Sequence, residues 1–369
     1  MSEQLQRTVL AGRQVALGAR MVPFAGWEMP VQYSDGIIAE HQHTRNAVSL
    51  FDICHMGEFQ IRGTGAVAAL DRLLARPVLD QPIGSCRYNF LLNDAGGVLD
   101  DLVVYRMAAD DCFLVVNAGT RAADAAHLRA LLPAGVTLVD LSDGLAKLDL
   151  QGPRSAEVLA QLGVPAASLP KYFHWTLLEI AQVRCILSRT GYTGELGFEL
   201  YFDVEKAGAM WDRLLEVEPV KPAGLGARDT LRLEMGYSLY GHELTPEVTP
   251  LDVGAAPLLK LAEQPGRDFV GRAALEKAGV RRRLIGIGCE GRRAARGGYA
   301  VRAGGRTIGT VTSGAFAPSL GVAVALASVT ADCGLEIGDP VSIETERAAI
   351  GGKVRALPFY PAGSVRKKL

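Results

Sequence analysis

The stretch Asn93-Asp94-Ala95-Gly96-Gly97-Val98-Leu99-Asp100-Asp101-Leu102-Val103-Val104-Tyr105 sets two adjacent carboxylates between a glycine turn and an apolar run. Asn-Asp followed by Gly-Gly supplies residues that tolerate φ > 0, so Leu91-Leu92 and Val98-Leu99 are predicted to be the arms of a hairpin. Successive side chains of a strand point to opposite faces, so Asp100 and Asp101 cannot both look outward, and one faces a cavity or the interior. Taken alone, an Asp-Asp pair more often caps a turn and sits in solvent than does chemistry. The rest of the chain decides between the two.

The chain has 369 residues, 49% of them hydrophobic and 21% charged, which suits a soluble protein of more than one core. Lys+Arg number 39 against 40 Asp+Glu, so no general attraction to nucleic acid or to a membrane surface is expected. No apolar run has the length of a membrane span, and Met1-Ser2-Glu3-Gln4-Leu5-Gln6 lacks the basic and apolar regions of a secretion signal; a cytoplasmic protein is expected. Cys54, Cys86, Cys112, Cys185, Cys289 and Cys333 are far apart with no C-x-x-C, which disfavours a zinc site or a disulfide framework and leaves free thiols in or near cores.

Outward from the opening hairpin, Phe113–Val116 is a predicted strand ending at Asn117, and 120–132 an Ala-rich helix. On the N-terminal side, 20–33 is read as an apolar loop because it carries two prolines and a glycine, and Ser34 as the cap of a helix reaching about Ser49, with Ile38, His41, Arg45 and Val48 on one face. Gly63-Thr64-Gly65-Ala66 follows a strand and opens a helix, as a dinucleotide fingerprint would. Against that, the preceding strand alternates polar and apolar residues, whereas the first strand of a doubly wound sheet is apolar throughout. Gly286–Gly291 is a weaker match still, since no long helix can follow it.

Leu148 and Leu150 alternate into a strand, and further strands are expected at 183–188 and 197–201. Glu199 lies in the last of these, between apolar residues, as an edge charge or a buried acceptor. Gly224–Asp229 opens a helix whose backbone N–H groups and Arg228 could meet an anion. Past about Arg281 the glycines and short β-branched runs predict a separate all-β barrel, with 274–279 as its linker.

The Pro23–Met29 segment, the Cys54–Glu58 turn, Gly96–Leu102, Arg189–Glu195, Gly224–Asp229 and Thr312-Ser313-Gly314 occur together in the order found in one family. The chain resembles the T-proteins of the glycine cleavage system, the tetrahydrofolate-dependent aminomethyltransferases, from about residue 8 to about residue 367. The resemblance implies an α+β fold, a three-domain cloverleaf around a central folate-binding hole with an all-β barrel third. The implied division is 1–52 with 141–245, 53–140 with 246–279, and 280–369. It implies Asp101 as the catalytic carboxylate, Glu199 as the pterin-edge acceptor, and further folate contacts at Met56, Tyr88, Asn117, Tyr192, Arg228 and Tyr240.

Tetrahydrofolate would be the co-substrate and the lipoylated H-protein the carrier of the aminomethyl group, with the P- and L-proteins as indirect partners. No metal is implied. Cys54 and His242 depart from the family pattern, which usually has serine and often glutamine there. Two rivals remain: another folate-dependent demethylase of the same superfamily, and a folate-binding accessory protein without transfer activity. Arg281, Arg282, Arg283, Arg292, Arg293 and Arg296 are either a solvated face or a dock for an acidic carrier.

Overall fold

A computed structural model describes residues 4–368. The opening stretch forms the predicted hairpin, with Cys86–Leu92 antiparallel to Val98–Ala108. Asn93 N–H donates to the Gly97 carbonyl and Gly97 N–H returns to Asn93 Oδ1, both at 2.9 Å, while Gly96 takes a φ of 82° that favours glycine. Leu92 faces Val98 but Leu91 faces Asp100, so Leu99 is the extra residue of a bulge that sets the phase of the strand beyond it.

From that phase, Asp100, Leu102 and Val104 point to one face of the sheet and Asp101, Val103 and Tyr105 to the other. The sheet runs Cys86–Leu92, Val98–Ala108, Asp111–Val116, Gly57–Arg62, Thr137–Asp140, every pair antiparallel. Helices Ala66–Leu73 and Arg121–Leu131 cover the Leu102 face, burying Phe59, Ile61, Leu70, Leu114 and Leu128. Antiparallel neighbours on both sides of Gly57–Arg62 remove the dinucleotide reading of Gly63–Ala66, which needs a parallel strand and crossover. Gly63 is instead fixed by packing, since a Cβ there would lie 2.1 Å from the Gly135 carbonyl.

A second sheet runs Trp175–Ile180, Val183–Ser188, Gly197–Asp203, Leu145–Gln151, Val48–Asp52, Val220–Pro222, with only the last pair parallel. Trp211 and Met210 of helix Ala207–Leu215 pack on Leu148, Leu150, Phe198 and Leu200. The opposite face carries Lys147, Asp149, Glu199 and Tyr201 and looks toward the first sheet. Tyr105 and Phe113 from one sheet and Tyr201 from the other meet edge to face, with centroids 5.4–5.6 Å apart. The third unit is a closed six-stranded antiparallel barrel, Arg282–Cys289, Val322–Thr330, Arg306–Ala317, Ala300–Ala303, Pro340–Ile343, Ile350–Arg355, as its composition predicts. Among the described residues no helix is long and apolar enough to cross a membrane.

Three local readings need correction. Residues 20–33 are no loop: Arg20–Phe24 and Trp27–Gln32 form a hairpin closed by Ala25 and Gly26, both at positive φ, and the prolines sit in its short twisted strands. The helix starts at Gly36 and ends at Asn46, and Val48 and Ser49 already belong to a strand. Its inward face is polar, because Glu40, His41, Thr44 and Arg45 are buried while Ile38 is 49% exposed. Partners explain this: Arg45 reaches Glu195 and Glu234 at 2.9 Å each, and His41 reaches Thr230 and Ser319 at 2.9 Å each. Finally, 274–279 is mostly the helix Arg272–Ala278, with Leu275 buried beside Gly96, so it is core and not linker. The six thiols are unbridged and lie in or near cores.

The chain end returns to the second sheet. Tyr360 N–H donates to Glu234 O at 2.9 Å, Ser364 N–H to Glu195 at 2.9 Å and Val365 N–H to Gly194 O at 3.0 Å, and the Arg45 guanidinium lies 4.3 Å over the Tyr360 ring. At the barrel's other end Asp252 accepts from the N–H groups of Arg281 and Arg282 at 3.0 and 2.9 Å.

A Cβ at Gly97 would stand 1.8 Å from the Pro246 carbonyl oxygen, whereas nothing lies within 4 Å of one at the exposed helical Gly12. Gly97→Ala is expected to lower stability by about 1–3 kcal/mol through forced backbone movement. Gly12→Ala should raise it by about 0.5–1 kcal/mol through helix propensity. Urea midpoints of the two variants against the parent check both signs.

Candidate functional site

The bulge leaves Asp101 half-buried on the face toward the second sheet and Asp100 wholly buried under helix Arg121–Leu131. Tyr88, on the neighbouring strand two positions from Asp101's partner Phe90, donates its hydroxyl to Asp101 Oδ2 at 3.0 Å. Asn117, just past the end of Asp111–Val116, uses its side-chain amide to bridge Asp100 Oδ1 at 2.8 Å and Asp101 Oδ1 at 2.9 Å, and its backbone N–H reaches Asp100 Oδ2 at 3.0 Å. Its two amide hydrogens are thus committed to the carboxylates. Burial, then the charge of Asp100, pushes the Asp101 carboxyl up to about 7, against the pull of the Tyr88 and Asn117 donors. Such a group changes protonation near neutral pH, as an acid–base residue must.

Glu199 is an interior residue of a central strand, which decides for the buried acceptor over the edge charge. Lys147 Nζ stands 2.9 Å from its Oε1, and the hydroxyls of Tyr105 (3.2 Å), Tyr201 (3.3 Å) and Thr190 all reach Oε2. Burial alone would raise this carboxyl, but Lys147 and the hydrogen bonds bring it down to about 2, so it is a fixed anion. Asp149, opposite Glu199 in the ladder, is pushed up to about 7 by burial and the Glu199 charge while its Oδ2 accepts from Arg228 Nη1 at 2.7 Å. The Arg228 guanidinium lies 5.0 Å over the Tyr192 ring, and Met56 Sδ is 3.4 Å from Lys147 Nζ.

The expected residues therefore fall into two groups. Asp101, Tyr88, Asn117 and Tyr240 form one, since the Tyr240 phenol is raised by burial and by the charges of Asp100, Asp124 and Asp101. Glu199, Arg228, Tyr192 and Met56 form the other, strung along Lys147 and Asp149. Tyr192 joins them: Asp101 acts on its phenol, and it acts on that of Tyr88. His55 sits alongside, held down to about 3 by burial and by Arg228 and Lys147, with its buried Nδ1 unpartnered.

Lys147, Asp149, Thr190, Tyr105 and Tyr201 escape the sequence reading. A signal existed in Leu145-Ala146-Lys147-Leu148-Asp149-Leu150-Gln151, where Ala146, Leu148 and Leu150 mark one face and Lys147, Asp149 and Gln151 share the other. Of the two departures, Cys54 lies near this group, its Sγ 3.4 Å from the Lys147 carbonyl, and exposed His242 faces Thr312 O of the barrel at 3.3 Å. The six arginines are not one patch. Arg281–Arg283 and Arg292–Arg296 flank opposite ends of the eight-residue strand Arg282–Cys289, roughly 25 Å in length. Arg282, Arg283 and Arg293 donate to carbonyls of the barrel itself.

Residues 10–263 match the family described as the GCVT N-terminal domain, and 282–361 the glycine cleavage T-protein C-terminal barrel domain. The chain is 44% identical to an aminomethyltransferase of Moorella thermoacetica, over 96% of this chain and 98% of that one, and 39% identical to an aminomethyltransferase of Thermotoga petrophila, over 99% and 100%. Among solved structures it resembles the glycine cleavage system aminomethyltransferase T from Bartonella henselae, with a TM-score of 0.91 and 35% identity over 98% of this chain and 99% of that one.

The raised carboxyls make stability depend on pH. Asp101 and Asp149 at about 7, and Glu58, which burial pushes up to about 8, hold protons that the unfolded chain releases near pH 4. Between those limits the folded state binds more protons, so stability falls as pH rises. His55 opposes this only below about pH 6.5, where the unfolded chain gains a proton that the folded one refuses. The urea midpoint is expected to be higher at about pH 6.5 than at about pH 8, with a smaller difference in Glu58→Gln.

Proposed function

The chain belongs to the glycine cleavage T-protein family, and from that membership we propose that it is a tetrahydrofolate-dependent aminomethyltransferase working through Asp101. The reaction takes the methylene of an aminomethyl thioether on the lipoyl arm of the H-protein. The carbon–sulfur bond breaks with the electron pair leaving on sulfur, the carbon joins the folate nitrogens, and the amine departs as ammonia. The observation that carries the reading is the half-buried Asp101, held beside the buried Asp100 by Tyr88 and Asn117, with no cation among the main influences on it.

The chemistry is cationic, because the amine lone pair pushes out the sulfur and leaves an iminium-like carbon. A carboxylate fixed in a water-poor site stabilises that charge without reorganising. It also accepts the proton that the folate nitrogen gives up as its new bond forms. Asn117 and Tyr88 fix its orientation from two sides.

The donor edge of a pterin, an N–H beside an amino group, calls for fixed acceptors. Glu199 supports that reading, since Lys147 keeps it ionised and leaves a lone pair on Oε1, while Oε2 is occupied by three hydroxyls. Half-buried Tyr88, Tyr192 and Tyr240 supply flat apolar surface for a ring, and Met56 and Arg228 complete the expected contacts. The two sheets and the barrel support a division at 1–52 with 141–245, 53–140 with 246–279, and 280–369. The H-protein is the partner this reading requires.

Mixing the protein with tetrahydrofolate and aminomethylated H-protein should release ammonia, and no release would refute the reading. Asp101→Asn is expected to bind folate normally but to lose ~10²-fold or more in kcat, because the amide cannot stabilise the cation. Glu199→Gln should weaken folate binding about tenfold, from a buried mismatch of about 1–3 kcal/mol, with a smaller loss of kcat at saturation. Titration calorimetry alongside saturation kinetics separates the two effects.

A further inference from the structure

The second sheet holds a carboxyl group to which the expected contacts give no role. Asp149 is wholly buried and stands directly opposite Glu199 in the antiparallel ladder, so the two side chains leave the same face with Cβ atoms about 5 Å apart. Its Oδ2 accepts from Arg228 Nη1 at 2.7 Å, while its Oδ1 has no hydrogen-bond partner. A buried carboxylate oxygen left this way is costly until something that binds brings it a donor.

Glu199 by itself is short of acceptors. Its Oε2 already takes the hydroxyls of Tyr105, Tyr201 and Thr190, and its Oε1 takes Lys147, which leaves one lone pair. The donor edge of a reduced pterin brings three hydrogens, one on ring N3 and two on the 2-amino group. Asp149 Oδ1 has both lone pairs free, so the two residues together match an edge that Glu199 alone leaves partly unmet. Charge balances as well, since Lys147 and Arg228 stand against Glu199 and Asp149. We propose that Asp149 is a second pterin acceptor, taking the 2-amino group on Oδ1 while Glu199 Oε1 takes N3–H, so that selection for the amino group rests on Asp149. Arg228 holds the carboxylate from its other oxygen and fixes its rotation. Glu58, on strand Gly57–Arg62 of the first sheet, also has an unpartnered buried oxygen. The charges that act on it most are Lys147 and Arg121, and burial pushes it up to about 8, so it keeps its proton at higher pH than Asp149 and is the poorer acceptor.

The inference rests on the folate reading, with Glu199 at the pterin edge. Calorimetry at about pH 8, above the value of about 7 for Asp149, compares tetrahydrofolate with an analogue carrying hydrogen in place of the 2-amino group. The parent should bind the analogue about tenfold more weakly. In Asp149→Asn the amide oxygen stays on the charged Arg228 and the amide N–H₂ meets the amino group, so tetrahydrofolate alone loses affinity and the ratio falls to about one. Glu199→Gln should weaken both ligands and keep the ratio, which reads the same assignment from a second variant should Asp149→Asn not fold. Glu58→Gln should also leave the ratio at about tenfold. Equal losses for the two ligands in Asp149→Asn would mean that Asp149 only holds Arg228, and would overturn the inference. A ratio lost in Glu199→Gln or in Glu58→Gln would overturn it too, by giving the amino group to that residue. Failure of the parent to bind tetrahydrofolate sinks the folate reading itself, whereas normal binding with an unchanged ratio in Asp149→Asn sinks this inference alone.

Discussion

A strand can offer only one of two neighbouring side chains to a given face, and the arrangement of this molecule depends on that limit at Asp100 and Asp101. The Leu99 bulge fixes which goes where. Asp101 turns to the space between the sheets and Asp100 to the helix behind, where the backbone N–H and side-chain amide of Asn117 satisfy its two oxygens. The adjacent strand end supplies Asn117, and the paired strand supplies Tyr88. A one-residue slip would exchange the roles of the two acids and turn Leu102 and Val104 from the helices to the second sheet.

The two groups of site residues differ in how charge is balanced. Around Glu199 the carboxyl groups have cations close by, Lys147 on one Glu199 oxygen and Arg228 on Asp149. Around Asp101 the close partners are neutral donors, the Tyr88 hydroxyl and the Asn117 amide. Paired charges suit recognition of a neutral ring with fixed donors. A carboxyl held by neutral donors suits a reaction whose high-energy point is positive.

Much of this was legible in the residues and some was not, for reasons of distance along the chain. The hairpin, the barrel and the alternation of the two acids depend on neighbours in sequence, and turn chemistry and period report those directly. Helix Gly36–Asn46 misled because its buried face is ionic: Arg45 finds Glu195 and Glu234 some 150 and 189 residues away. Ala25-Gly26 closes a hairpin without the usual Asn-Gly, and the prolines beside it argued for a loop. Lys147 was visible as one of the polar residues on a strand face, but nothing local says that its charge belongs to Glu199. The Asn117 bridge between Asp100 and Asp101 was out of reach, since it comes from the end of a different strand 17 and 16 residues on.

The return of the chain end to the second sheet gives the barrel two moorings, Asp252 at its first strand and Gly194 to Glu195 at the tail. A body pinned at one point swings; pinned at two separated points it keeps at most one axis of rotation. Contacts away from those two points, Leu233 packed on Ala317, Val324 and Leu326 and Arg232 donating to Ser313 Oγ at 2.8 Å, hold the remaining axis, so the barrel is a fixed wall and not a door. In the proposed reaction a carrier's flexible arm would supply the reach that in hinged enzymes comes from the enzyme's own motion. Access would then be governed by the length and aim of the visiting arm, with the receiving cleft acting as a gauge that admits only an arm of the right span.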